Sequence, residues 1–532
     1  MTSTAEKRED SSPASISQAE EGPVREPIAE ETFSRALHGW KWAVAYGSIL
    51  SPAFLFALDN TIVAAVQPSI LEALGRVELL PWIGTGFALG SCAILAWGKA
   101  YGIFTVKWLF IFNILLFEIG SVICGAAPNM VAFIVGRVIA GVGGCGMYSG
   151  ALTYIALLTS LTERPPYMAG VAVTWGLGSV LGPVSFYINL VIGAVFSPSY
   201  FFLLPDICLK PGKTLWQKLC MVDWIGTVIF FGGSICFTMA ITFSGLMYPW
   251  NSGSAIALWV MTGVLLLTTI ATTIWHPLVT KENRLIPAHF FRKPVLVNLG
   301  LQMFLASGIM LSAVYYIPLY FAFVMGDDVM QAGIRLLPYI CLLVFTSIVS
   351  GIFMPKTGYY IPWYVVGSLV SAVGAALMVH AGTAAANIYG YTALVGFAGF
   401  YVAGGFAVMQ ALVPVEDLPN AVGFQSIAQV LGTVTFLSVS GNIFFNSAAG
   451  LITPLLPDDT SSKFIHDLIG GTSSHAFQSL SDELAGPVVV SIAESIRNVW
   501  VFNLASSILS LAMTFFLGAA GDFRGYQWCI LG

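Results

Sequence analysis

Three ionisable side chains stand inside apolar runs, where water is scarce. Asp59 lies in Leu58-Asp-Asn-Thr-Ile-Val63, Glu118 in Leu115-Leu-Phe-Glu-Ile119, and Arg137 in Gly136-Arg-Val-Ile-Ala140. An ionisable residue within a lipid-crossing segment is costly and is a functional hypothesis by default. A carboxylate holds its proton more tightly as its surroundings dry out, and less tightly as a cation approaches. A movement that alters either condition takes up or releases a proton. Asp59 and Arg137 therefore read as a proton-coupling and gating pair, with a structural ion pair or capping network as the plainer alternative. Glu118 reads first as structural and is the third candidate of the set. Arg335 and His380 sit nearer the ends of their apolar runs and can reach water.

No other chemistry competes with this reading. Pro211-Gly-Lys-Thr214 resembles the end of a phosphate-binding loop, but Ile207 stands where that loop needs a glycine. The cysteines have no metal-ligand spacing, and most lie in apolar runs as small buried hydrophobes. No nucleophile–base arrangement appears. We expect no catalytic residue, no metal, no cofactor and no nucleic-acid partner.

The elements that position these charges follow from composition. Hydrophobic residues make up 57% of the 532-residue chain and charged residues 9%. A soluble domain carries about a quarter charged residues, so the chain reads as an all-α integral membrane protein. A spanning helix needs about 20 residues. Apolar runs at 42–65, 81–101, 108–128, 132–157, 222–243, 255–275, 296–321, 334–354, 362–381, 389–413, 424–446 and 499–520 meet that length. The run 167–205 is the ambiguous one. Lys and Arg concentrate in cytoplasmic loops. With the N-terminus inside, 17 of the 22 basic residues fall on the cytoplasmic side only if Arg164 and Lys210 share it. The run then crosses twice, turning near Gly182-Pro183-Val184-Ser185. Fourteen spans result, with both termini cytoplasmic. Trp40, Trp42, Trp82, Trp108, Trp363 and Trp500 read as interface anchors at span ends.

The organisation predicted is a disordered tail (1–39), six helices (40–205), two further helices with cytoplasmic loops (206–294), six more helices (295–520) and a short tail (521–532). Residues 447–498 read as a partly ordered extracellular cap. Gly141 in span four and Gly178 and Gly182 in span five lie on small-residue faces that let helices approach closely. Pro183 adds a bend where a moving helix could flex.

These stretches resemble the major facilitator superfamily, and within it the fungal fourteen-span drug:proton antiporters. Leu58-Asp-Asn-Thr-Ile-Val63 with Pro68 is similar to the family's span-one signature. Arg137-Val-Ile-Ala-Gly-Val-Gly-Gly144 is similar to its span-four motif, and Gly178-Ser-Val-Leu-Gly-Pro183 to its span-five antiporter motif. Asp223-Trp-Ile-Gly226, Tyr248-Pro-Trp-Asn-Ser252 and Tyr315-Tyr-Ile-Pro-Leu-Tyr320 also fit. The resemblance implies two six-helix bundles with two inserted helices. It implies alternating access around a midplane cavity, with small amphipathic compounds, such as a fungal toxin or other secondary metabolite, exported in exchange for protons. A monomer in the plasma membrane is expected, with the vacuolar membrane as the alternative. Uptake of a siderophore or nutrient, or sensing without transport, are the competing functions.

Two departures from the family pattern stand out. In the loop between spans two and three only Gly98 and Lys107 fit, and Gly102 occupies the acidic position, so the usual charged latch cannot form. After Pro183-Val184 the chain passes directly to Ser185-Phe-Tyr-Ile-Asn189, without the outer part of span five and its loop. A splicing or gene-model error, or a genuine deletion, would account for this, and a genuine deletion implies an impaired outer gate.

Overall fold

In lipid, backbone N–H and C=O groups have no water to bond, so an apolar run must satisfy them within itself as a helix. A computed structural model describes residues 38–519, except 75–79, 161–162, 182–186, 246–247, 276–278, 281–282, 328, 381–384, 458–461, 470–476 and 478. The predicted terminal tails beyond these limits, and Gly182 and Pro183, lie outside the described residues.

The regular elements among the described residues are helices; they form no strand beyond an isolated bridge between Ser244 and Tyr248. In chain order the helices are α1 (Trp40–Leu74), α2 (Leu80–Ser91), α3 (Ile94–Tyr101), α4 (Val106–Gly125), α5 (Met130–Leu158), α6 (Arg164–Leu181) and α7 (Tyr187–Phe202). Next come α8 (Leu215–Met221), α9 (Trp224–Phe243) and α10 (Gly253–Ile274). The remainder are α11 (Pro294–Val324), α12 (Val329–Arg335), α13 (Leu337–Thr357), α14 (Ile361–His380), α15 (Ala385–Val395), α16 (Gly399–Ala411), α17 (Leu418–Ile452), α18 (Ser462–Ile469) and α19 (Asp482–Ala519). Among the described residues eleven helical stretches are long and apolar enough to cross a membrane, and Asn189–Phe202 is a shorter apolar one. Polar residues mark several helix starts: Asn129, Asp223 and Ser252 each accept a bond from the backbone three residues on. Gly358, at φ +69°, closes α13 in the left-handed conformation that suits glycine.

The ambiguous run 167–205 forms two helices that run in opposite directions. Tyr46 on α1 bonds the Tyr167 carbonyl, and Gly178 lies against Ala57, so α6 runs parallel to α1. Ser48 bonds Ser199 at 2.7 Å, so the far end of α7 returns to the beginning of α1. Along α4, Lys107 Nζ donates to the Phe201 carbonyl at 2.6 Å and Asn189 donates to Ser121 at 3.3 Å, which makes α7 antiparallel to α4. At about 1.5 Å per residue, α6 and α7 are ~27 and ~24 Å long, close to the hydrocarbon thickness.

Basic residues collect at one end of the molecule. There Arg164 donates to the Ala156 carbonyl, Tyr154 to the Pro205 carbonyl, Lys210 to Asn283 and Lys99 to Asn420. Arg335 ends α12 at the opposite end and pairs with Asp327. That α13 is inverted relative to α6 follows from Gly351 meeting Pro165 while Val344 meets Gly176.

One predicted boundary needs correction. Helices occupy both ends of the segment 447–498 expected to form an extracellular cap: α17 runs on to Ile452 and α19 begins at Asp482. Val488, Ile492, Ile496 and Val499 recur at helical spacing and are fully buried, while Ser491 and Ser495 bond carbonyls four residues back. The serines, Glu494 and Arg497 lowered the local hydropathy and hid the helix. Trp500 is likewise no interface anchor, since it sits in the core of this long helix at 1% exposure. Trp40 and Trp108, by contrast, are exposed.

Candidate functional site

Four helices converge on the first two candidate charges. Asp59 on α1 receives Arg137 Nη1 from α5 at 2.5 Å, and Nη2 also donates to the Asp59 carbonyl at 3.3 Å. Both residues are 1% exposed. The guanidinium lies over the Phe87 ring of α2, 4.4 Å from its centroid, a cation–π arrangement strengthened by desolvation. Gly178 brings α6 against the turn that carries Asp59: a Cβ there would lie 2.8 Å from the Leu58 nitrogen. Gly141 does the same for α5 against α2, where a Cβ would lie 2.3 Å from the Phe87 carbonyl oxygen. The small residues thus let the backbones close around a dry ion pair. Such a pair offsets its own desolvation only while both members are present.

Glu118 does not join this pair. It projects from α4 toward α7, where a Cβ on Gly193 would meet its Oε1 at 2.5 Å. Both carboxylate oxygens are buried and have no hydrogen-bond partner among the described residues. Hydroxyls and an amide line the same three-helix seam: Ser51 bonds Tyr200 at 2.7 Å and Asn189 bonds Ser121.

At the lysine-bearing end, Gly98 on α3 packs directly on Gly423 of α17; a Cβ on Gly98 would stand 2.6 Å from the Gly423 Cα. Lys107 spends its charge on the Phe201 carbonyl and takes no part in this contact. The neighbouring Lys99, which sequence reasoning passed over, donates to Asn420 at 3.2 Å. Asn420 bonds Asp417 at 2.8 Å, and Asp417 meets His289 at 3.0 Å. A polar chain therefore links the two halves where the usual charged latch is absent. The Thr214 of the rejected phosphate-loop look-alike caps α8 in a capping box with Gln217.

Between the halves lies a small cavity of about 40 Å³. Tyr148 (α5), Met168 and Trp175 (α6) line it from one side, and Met310 (α11), Phe406 (α16) and Gln429 (α17) from the other. Phe56 stacks on Tyr148 with ring centroids 5.2 Å apart and meets Trp175 edge-on at 5.9 Å. The Tyr148 hydroxyl donates to Gln429 Oε1 at 3.2 Å, joining the halves across the cavity. None of these lining residues stands out in the sequence alone. An uncharged polar or aromatic residue within a span carries no signal until its partner, 281 positions away, is known.

Comparison with known proteins follows the same lines. The family model described as Major Facilitator Superfamily matches residues 49–209. The chain is 52% identical over 498 residues to efflux pump DEP3 of Alternaria brassicicola, covering 90% of this chain and 88% of that one. It is 38% identical to efflux pump alnA of Emericella nidulans, covering 91% of each. Its fold is similar to the crystal structure of the human organic anion transporter MFSD10, with a TM-score of 0.58 at 14% identity, over 89% of this chain and 99% of that one.

Proposed function

This chain belongs to the major facilitator superfamily, and on that premise we propose that it exports small amphipathic compounds in exchange for protons by alternating access. It is a multi-pass membrane transporter and not an enzyme. The observation that carries the proton reading is the buried Asp59–Arg137 pair, held where four helices meet. Helix movement that separates the guanidinium from the carboxylate exposes an uncompensated charge, which a proton then neutralises. Re-forming the pair expels that proton. Glu118, with both oxygens buried and unbonded among the described residues, is a second proton acceptor on the same half.

In this reading the chain crosses the plasma membrane fourteen times. Residues 40–205 and 295–520 form the two rocking bundles, and α9 and α10, within 206–294, are inserted between them. The lysine-bearing end faces the cytoplasm, so the Gly98–Gly423 contact closes the inner side. The protein works as a monomer, since one chain supplies both bundles and the cavity between them. The names of the relatives, efflux pumps, support export over uptake or sensing.

The test is expression in a host stripped of its own pumps, with retention of candidate metabolites compared across external pH. Export should track the proton gradient and vanish in Asp59→Asn and Arg137→Ala. Export that ignores both the gradient and these substitutions would sink the coupling mechanism.

A further inference from the structure

Among the described residues, none that lines the cavity between the halves is charged. An ion entering it would shed its hydration and find no counter-charge in the wall, a penalty that an uncharged molecule avoids. The wall has a definite chemistry. Tyr148 and Trp175, backed by Phe56, form an aromatic face on one half, and Met310 and Phe406 an apolar one on the other. The polar bond across it runs from the Tyr148 hydroxyl to Gln429 Oε1, with both side chains buried. One helical turn along α17, Gln425 is 1% exposed, and its Oε1 has no hydrogen-bond partner among the described residues. That turn lies on the side of Gly423 and the closed Gly98 contact. A second amide therefore stands between the closure and the cavity.

We infer that the cavity takes an uncharged, ring-containing compound bearing a hydroxyl or carbonyl, and that Tyr148 and Gln429 recognise that group. This deepens the transport reading above and rests on it. A cargo carbonyl accepts the Tyr148 proton, or a cargo hydroxyl donates to Gln429 Oε1. Either one replaces a bond that ties the two halves together. The aromatic face stacks on the ring. Occupancy is thereby coupled to the freedom of the halves to separate, and selection for neutrality comes from what the wall lacks.

The test uses the full chain in lipid nanodiscs and three tritiated probes with one ring system: naphthol, naphthoate and naphthylmethylammonium. Equilibrium dialysis near neutral pH, corrected against empty nanodiscs, isolates saturable binding. Naphthol should bind saturably and the two ions should not. Tyr148→Phe and Gln429→Leu should each weaken naphthol by about tenfold, the worth of one buried hydrogen bond. Gln429→Glu should gain naphthylmethylammonium binding, a result that a misfolded variant cannot give. Saturable binding of either ion to the unaltered protein at naphthol's affinity overturns the inference. So does the absence of saturable naphthol binding, or naphthol affinity unchanged in both weakening variants. Naphthol binding without gradient-driven export would remove the proton-exchange reading and leave this site standing. Gradient-driven export of an ion would do the reverse.

Discussion

The two halves that face the cavity handle polar groups in opposite ways. The half built from α1–α7 embeds full charges, Asp59, Arg137 and Glu118, with the first two paired at 2.5 Å. The half built from α11–α19 buries amides and hydroxyls instead. Gln302 donates to the Ser510 carbonyl at 2.8 Å and to Thr514 at 3.0 Å, Asn298 to the Met513 carbonyl at 2.9 Å, and Asn503 to Ser312 at 3.0 Å. These bonds stitch α11 to α19. Neutral amides do not titrate in the physiological range, so this network has nothing with which to answer a proton gradient; the carboxylate this half does bury, Asp327, lies past the end of α11 and pairs with Arg335. On the proposed function, this difference is a division of labour: proton chemistry in one bundle, uncharged recognition and rigid scaffolding in the other.

The sharpest way to break this comparison is Arg137→Ala. It leaves the Asp59 carboxylate buried with no cation, a loss of about 3–5 kcal/mol for a pair of this kind. Export should fall to background and the melting temperature of the purified protein should drop. The double substitution Asp59→Asn with Arg137→Gln should recover most of the stability but none of the pH-dependent export. Full export by Arg137→Ala would show that the pair is dispensable.

A somewhat smaller effect is expected where the halves touch. Gly98→Leu pushes a side chain into the Gly423 backbone, where even a Cβ stands 2.6 Å from the Cα. Closure at the lysine-bearing end should fail while the interior of each bundle stays folded. A cysteine pair placed at Lys99 and Asn420 should cross-link efficiently with Gly98 intact and poorly in Gly98→Leu. Equal cross-linking in both would mean that the contact is not the closure.

What the sequence revealed and what it hid divide along the same lines. Asp59, Arg137 and Glu118 were legible because a charge in an apolar run is conspicuous. The antiparallel α6–α7 pair followed from requiring Arg164 and Lys210 to share a side, and the contacts of Ser199, Phe201 and Asn189 agree. Lys99 was missed because basic residues at loop ends are ordinary, and its partner Asn420 is 321 positions away. Tyr148 and Gln429 were missed because neutral residues in spans do not announce themselves. The start of α19 was hidden because serine hydroxyls that bond their own helix still count as polar in a hydropathy sum. Charge patterns survive in one dimension, whereas a contact between neutral side chains such as Tyr148 and Gln429 exists only once helices are packed.

Within the uncharged half, Gln302→Leu sharpens the comparison from the other side. It removes the Gln302 bonds to the Ser510 carbonyl and to the Ser510 and Thr514 hydroxyls, while Thr514 keeps its own bond to the Ser510 carbonyl; the loss is about 1 kcal/mol for a hydrogen bond between membrane helices. Melting should shift down by a few degrees, and the pH dependence of export should keep its wild-type shape. A displaced pH profile would show that the amide network takes part in proton coupling, and the division of labour would fail.

The smallest effect probes a titrating group that belongs to neither bundle. Cys208, in the segment between α7 and α8, accepts a bond from Lys218 Nζ at 3.1 Å. Partial burial pushes its thiol up, but the Lys218 hydrogen bond and charge, with a backbone bond at Lys210, outweigh that and hold it below the usual thiol range. The thiolate is the reactive form, so a lowered value means more thiolate at neutral pH and faster iodoacetamide labelling than an ordinary cysteine shows. Lys218→Met removes the ammonium, so labelling of the Cys208 peptide, followed by mass spectrometry, should slow several-fold at neutral pH and recover as pH rises. If proton coupling is confined to Asp59 and its neighbours, Asp59→Asn should leave this labelling curve where it was. A curve that moves with Asp59 would mean that the connecting segment senses the state of the ion pair, and the proton machinery would then extend beyond the first bundle.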